Sequence, residues 1–267
     1  MNLRLDSAPI RACAATFALV ALLSLAALLP VFARPAAAQD ADAFLGRGDE
    51  LFARRGADLK APAAAIGVWS SAATAFGSDA RFPERILAAH AYVTRFSPDA
   101  KARTQALANG ARLAEAVAKS FPKSAAGPYW RAVFRFESLR ARDALGQLSE
   151  LGAVRGDLER AKAIDPAFDF AGPDRQLGIL ALEAPVRRAK DAVDALEDAR
   201  KLSPNYSTNL AWLARAYDAQ GRADEAAALW MDILAMTASP GFERDLLADQ
   251  TLARERLGLA AKMRATP

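Results

Sequence analysis

The sequence is nearly empty of the residues that build reactive centres, with one cysteine, Cys13, and one histidine, His90, in 267 residues. A Cys/His zinc site, a two-metal hydrolase site, a c-type haem site and a disulfide framework each need several of these residues. All four are excluded, and no metal or other cofactor is expected. Aromatic residues make up only 8%, glycine (15) and proline (14) are modest, and β-branched runs are few, which argues against a sheet protein and against a low-complexity chain. A Gly-rich phosphate loop and a G-x-S-x-G elbow are missing, and no spaced acid pair stands out from helix faces. His90 sits in the helical stretch 84–96 without a sequence partner to orient it as a base, so it reads as structural and the protein as no enzyme. What is present is 52% hydrophobic and rich in alanine, the strongest helix former.

The first forty residues read as an address. Arg4 and Arg11 precede an uncharged apolar run, 12–29, which Pro30 ends. Ala36 and Ala38 then occupy the small-residue positions of a secretory cleavage site, so residues 1–38 are expected to be a cleaved signal peptide and 39–267 the mature protein. The alternative is an inner-membrane anchor formed by 12–29, which is at the lower limit for spanning a bilayer. Cys13 lies near the start of the run, which does not support lipid attachment. Without the signal the net charge falls from +4 to +2, leaving no electrostatic case for nucleic acid.

Beyond residue 40 prolines punctuate helical patterns, and Pro122, Pro166, Pro204 and Pro240 are 44, 38 and 36 residues apart. That spacing suggests helical hairpins of the tetratricopeptide type, whose period is about 34 residues. The segment from Leu210 fits best, with Leu213-Ala214, Tyr217, Gly221, Ala226 and Trp230 at the repeat positions and residues 218–222 as the turn. A second unit carries Leu177-Gly178 and then Ala192, Leu196 and Ala199, joined by a longer turn at 184–186. Leu45, Gly48 and Phe52 with Ala65, Trp69 and Ala72 sketch a first hairpin, while 85–121 fits poorly. The expected fold is an all-α tetratricopeptide-like solenoid of four to five hairpins, with a capping helix from Phe242 onward. The exposed end of such a stack is either capped or used to form a homo-oligomer.

Two stretches depart from the repeat. Residues 129–136 place Tyr129, Val133 and Phe136 on one stripe and Trp130 and Phe134 on another, an arc wider than one buried face requires. Either this helix is covered on both sides or its aromatic wall lines a groove for an apolar ligand. Residues 165–175 insert Phe168, Phe170, Gly172 and Pro173 before the next helix; this elaborated connection either plugs the core or presents Asp174 and Arg175 to a partner. First helices of such hairpins face the concave side, which nominates Arg175, Ile179, Thr208, Ala211, Arg215 and Asp218 for partner binding.

The runs Ala161-Lys162-Ala163-Ile164-Asp165-Pro166, Gly172-Pro173-Asp174-Arg175-Gln176-Leu177-Gly178, Ala184-Pro185 and Leu202-Ser203-Pro204-Asn205-Tyr206, with Leu213-Ala214-Arg215-Ala216-Tyr217, resemble the T-component family of TRAP transporters across about residues 125–240. The resemblance implies a periplasmic protein of degenerate tetratricopeptide repeats that docks a substrate-binding protein and passes an apolar solute through an internal channel. A general periplasmic scaffold for envelope or cell-wall assembly and a direct carrier of an apolar ligand are the alternatives.

Overall fold

The computed structural model describes residues 36–140 and 142–258. The chain divides into an N-terminal unit, residues 1–43, and a body from Phe44 onward. Cys13 and the apolar run 12–29 lie outside the described residues, and of the expected signal segment only Ala36, Ala37 and Ala38 fall within them, at the opening of the first helix.

Eleven α-helices and no strand form among the described residues. They are α1 (Ala36–Ala53), α2 (Ala61–Ala75), α3 (Arg81–Phe96), α4 (Ala100–Ser120), α5 (Ala126–Leu139), α6 (Ala144–Ile164), α7 (Phe168–Glu183), α8 (Ala189–Leu202), α9 (Ser207–Ala219), α10 (Ala223–Ala235) and α11 (Glu243–Arg256), with a 3-10 turn, Arg54–Gly56, after α1. Five hairpins and a terminal helix result, an all-α helical-hairpin solenoid. Pro122, Pro166, Pro204 and Pro240 fall in four of the five connections that lead from one hairpin to the next or into the terminal helix, where a missing N–H and a fixed φ end one helix without cost to the next. Pro98 marks the turn inside the second hairpin. That hairpin, α3–α4, is complete although its sequence pattern is weak, because Phe82, Ile86, Leu87 and Ala89 of α3 are buried and α4 adds only small or β-branched residues, Ala106, Gly110, Ala114 and Val117.

Each helix packs on the next along the chain, and α3, α5, α7, α9 and α11 also touch one another in series, so these helices make the inner wall. Two apolar cores fill the stack, one across α3–α7 and one across α7–α11, and Trp212 packs against both. Small residues set the crossings. A Cβ on Gly178 would run into the Leu196 side chain of α8, so only glycine lets α7 and α8 approach at this height. Gly221, φ +75°, ends α9 in the left-handed conformation the turn requires.

The terminal helix does more than close one end. Its N-terminus meets the 3-10 turn of the first hairpin: Arg55 lies over the Phe242 ring at 4.5 Å, and Arg95 of α3 pairs with Asp245 at 3.0 Å. The first hairpin and the terminal helix therefore join, and the inner wall closes into a ring. The cap carries two buried acids on this side, Asp245 and Asp249, so its inner face is not simply apolar. Asp249 accepts from the Ser207 and Thr208 hydroxyls at 2.7 and 2.9 Å.

Candidate functional site

The inner wall lines a half-open cavity of ≈ 700 Å³, within the ~300–1,000 Å³ usual for small-molecule sites. Its apolar side is α5, where Tyr129, Trp130, Val133 and Phe134 line it, continued by Ile179 of α7 and Trp212 of α9. The opposite side comes from the seam: Phe52, Arg55, Tyr92, Arg95 and Phe96, with Phe242 and Asp245 of the terminal helix. Phe170, Tyr206 and Phe242 pack ring on ring at 4.8 to 5.9 Å and separate this cavity from a smaller groove of ≈ 280 Å³ beyond them.

The residues before α7 straighten position the aromatic partition. Asp169, Phe170 and Ala171 are three consecutive left-handed residues, φ 50°, 57° and 60°. Each such residue costs an L-amino acid ~1–2 kcal/mol, so the turn persists only because its surroundings fix it. Arg175 does this. Its guanidinium donates to the carbonyls of Asp169 and Phe170 at 3.0 Å each, to Asn209 Oδ1 at 3.1 Å, to the Tyr129 hydroxyl at 3.0 Å and to the Asp169 carboxylate at 2.6 Å. Asn209 donates in turn to the Phe170 carbonyl at 3.0 Å. The outcome is that Phe170 stays 45% exposed, with its ring stacked on Tyr206.

The stretch Gly172-Pro173-Asp174-Arg175 now has a physical reason at each place. A Cβ on Gly172 would lie 2.6 Å from the Tyr129 hydroxyl, so glycine makes room for that ring. Pro173 suits the first turn of the straight part of α7, where an N–H has no helical partner. Asp174 is 1% exposed and takes an ion pair from Lys162 of α6 at 2.6 Å. Neither Asp174 nor Arg175 is presented outward; both hold the connection in place. Phe168 packs against the core beside Tyr129, at 5.3 Å between centroids.

Burial sets the electrostatics. It pushes the Tyr129 hydroxyl well above its usual value, with Asp169 adding to it, and the Tyr92 and Tyr206 hydroxyls up to about 12. Burial works against the Arg175 charge, but bonded Tyr129 and Asp169 outweigh it and keep the guanidinium protonated. Asp174, Asp245 and Asp249 are raised by burial, which Lys162, Arg95 and hydroxyl donors offset only in part. His90 is half-buried in α3, and burial lowers its pKa. Among the described residues no group of three or more His, Cys, Asp or Glu is arranged to hold a metal ion, and no helix is long and apolar enough to cross a membrane.

Of the residues nominated from the sequence, Tyr129, Trp130, Val133, Phe134, Arg175, Ile179 and Thr208 come together around the cavity. Phe136 and Ala211 lie instead in the two cores. Arg215 stacks on Trp212 at 3.8 Å outside the cavity, and exposed Asp218 accepts from Trp230 at 3.4 Å. Arg131 is tied to Asp157 of α6 at 2.8 Å and to Glu115 of α4 at 3.2 Å. The seam residues Phe52, Arg55, Tyr92 and Arg95 were not nominated. Their one signal is an aromatic, Phe52, on the same face as the core residue Leu45.

A tetratricopeptide repeat family model matches residues 187–239, the span from just before α8 into the connection after α10. The crystal structure of TTC0263, a thermophilic tetratricopeptide protein of Thermus thermophilus, is similar over 81% of this chain and 98% of its own, with TM-score 0.63 and 17% identity. Two crystal structures of MamA cover 72% and 75% of this chain and 90% and 98% of their own, at 14% and 15% identity and TM-scores of 0.41 and 0.44. No curated protein matches the chain. Fold and repeat match define the class: a tetratricopeptide-like helical-hairpin solenoid.

Proposed function

We propose that this chain is an exported, non-enzymatic accessory protein that holds an apolar small molecule in its half-open inner cavity and docks a partner protein, in the manner of a TRAP-transporter T-component. The observation that carries the reading is the aromatic cavity of ≈ 700 Å³ lined by all five hairpins and the terminal helix. Its volume and aromatic lining are those of a small-molecule site rather than of a groove for an extended tail. The resemblance to T-components is centred on residues 172–178, and those residues fix the Phe170 turn that partitions the chamber. With a ligand held inside, docking of a periplasmic substrate-binding protein falls to the outer rims.

Native mass spectrometry of protein isolated without detergent, with titration of the neutral dye Nile red, tests the cavity. One dye per chain is expected, and Val133→Trp, which fills the chamber from its half-buried wall, should abolish binding while leaving helical content unchanged. Equal dye binding by Val133→Trp would sink the cavity reading. Export is tested separately by the N-terminus of the cell-derived protein, expected at Gln39. Genes for a TRAP permease and its binding protein beside this one favour the transporter role, and envelope-assembly genes favour the general scaffold.

A further inference from the structure

Five guanidiniums and three carboxylates line the cavity: Arg55, Arg95, Arg103, Arg140 and Arg175 against Glu137, Asp169 and Asp245. Three of the arginines are accounted for. Arg95 pairs with Asp245 at 3.0 Å, Arg175 with Asp169 at 2.6 Å, and Arg140 with Glu183 and Glu137 at 2.6 and 3.2 Å. The other two have no carboxylate within ion-pair distance among the described residues. Arg55 donates to the Phe52 carbonyl at 3.1 Å and Arg103 to the Ser97 carbonyl at 2.7 Å, one bond each from five N–H donors.

Arg55 is the stronger anomaly because it is only 8% exposed. Burial costs this charge more than Asp245 and Glu243, which attract it without pairing with it, give back, and its pKa is lowered accordingly. The rings of Phe52, Phe242 and Tyr92, at 4.3, 4.5 and 5.5 Å, compensate part of that cost through their faces. They accept no N–H bond in the guanidinium plane. A planar fork with free donors is shaped for the two oxygens of a carboxylate.

We propose that the cavity takes an amphipathic monocarboxylate, its head held by Arg55 with Arg103 and its apolar body against Trp130, Val133 and Trp212. This rests on the cavity being a ligand site, and it adds the ligand's class. A cationic head is disfavoured by the excess of guanidinium. A dianionic phosphate is disfavoured by Asp245 and Asp169, which share the same walls. A neutral alcohol accepts at most an N–H bond and brings no charge, so a carboxylate is what both neutralises Arg55 and matches its fork.

The test is calorimetric titration of the full chain with dodecanoate, dodecanol and dodecyltrimethylammonium below their aggregation concentrations. Dodecanoate should bind about tenfold or more tighter than dodecanol, as expected for a charge-assisted pair out of water. Arg55→Gln should bring that ratio to about one with dodecanol affinity retained, a selectivity readout that a purely structural role for Arg55 would not move. Should Arg55→Gln fail to fold, Arg103→Gln serves, since half-buried Arg103 holds only the Ser97 carbonyl; a several-fold drop in the ratio is expected there. Equal binding of dodecanoate and dodecanol by the wild type, or tighter binding of the ammonium, overturns the carboxylate assignment and leaves the cavity reading standing. Binding of none of the three overturns the cavity reading itself.

Discussion

Arg175 is worth five hydrogen bonds to the left-handed turn and its neighbours, and no other side chain type could make them from one position. A lysine keeps the charge but offers its donors from a single point, so it cannot span the Asp169 and Phe170 carbonyls and the Tyr129 hydroxyl together. Arg175→Lys should therefore lower unfolding free energy by about 2–4 kcal/mol, since bonds to a charged group contribute ~1.5–3 kcal/mol each and several are lost or weakened. Urea denaturation followed by circular dichroism measures it, and a midpoint equal to wild type would show that the fork does not hold the turn. Tyr129→Phe keeps the ring under Gly172 and removes only the hydroxyl that donates to Asp169 at 2.5 Å. Its cost should be about 1–3 kcal/mol, and the pair should be non-additive because both changes break the same network.

At the scale of the helix, glycines of one type behave oppositely according to what lies opposite them. A Cβ on Gly178 meets Leu196, so Gly178→Ala should cost about 1–3 kcal/mol through overpacking at the α7–α8 crossing. Gly152 is exposed in the middle of α6 with nothing near its Cβ direction, so Gly152→Ala should stabilise by ~0.5–1 kcal/mol. Thermal melts of the two variants should move in opposite directions; a shared direction would remove crossing geometry as the explanation. The terminal helix predicts a pH dependence. Burial raises the Asp245 and Asp249 carboxyls, and Asp249 and Asp169 push Asp245 further the same way, with Arg95, Arg55, Ser207, Thr208 and Arg175 as the opposing groups that face them. The native state then keeps protons that the unfolded chain has released, so this contribution is full at low pH and is lost as pH rises through the native values. Unfolding free energy should be higher near about pH 5 than near about pH 8, and Asp249→Asn, which still accepts from both hydroxyls, should flatten the difference. A slope unchanged in Asp249→Asn would mean the carboxyl titrates as it does in the unfolded chain.

Helices were legible where short-range chemistry decides them. The four inter-hairpin prolines, Gly221 at its turn and Gly178 at its crossing all act within a few residues or one neighbouring helix. The aromatic arc of α5 was legible as a wall for the same reason, but not which stripe faces the chamber: Phe136 turned into the core while Val133 lines the cavity. Residues 165–175 marked a departure from the repeat without revealing the left-handed turn, because three non-glycine residues with positive φ contradict local preference and are held from α5 and α9. The second wall had no signature, since it depends on partners such as Arg95 and Asp245, 150 residues apart.

Whole-molecule behaviour turns on that closure. A stack of hairpins ordinarily contacts only nearest neighbours, so opening one interface leaves the rest intact. Here the Phe242 ring joins the terminal helix to Arg55 at 4.5 Å and to the partition rings Phe170 and Tyr206 at 5.3 and 5.9 Å. With aromatic pairs at ~0.5–1.5 kcal/mol each and a partly buried cation–π contact at ~0.5–2 kcal/mol, Phe242→Ala should weaken the seam by about 2–4 kcal/mol. The Arg95–Asp245 pair, whose arginine side chain is 43% exposed, holds too little to replace it. Hairpin cores across α3–α10 do not include Phe242, so helical content should persist while the first hairpin and the terminal helix part. Small-angle scattering should then report a larger radius of gyration, and acrylamide should quench Trp130 and Trp212, which line the chamber, more than in the wild type. Trp69 and Trp230, buried at 0% and 2% in hairpin packing, provide the unchanged background. Scattering and quenching identical to wild type would mean that the ring is held closed by the stack's own curvature rather than by the seam.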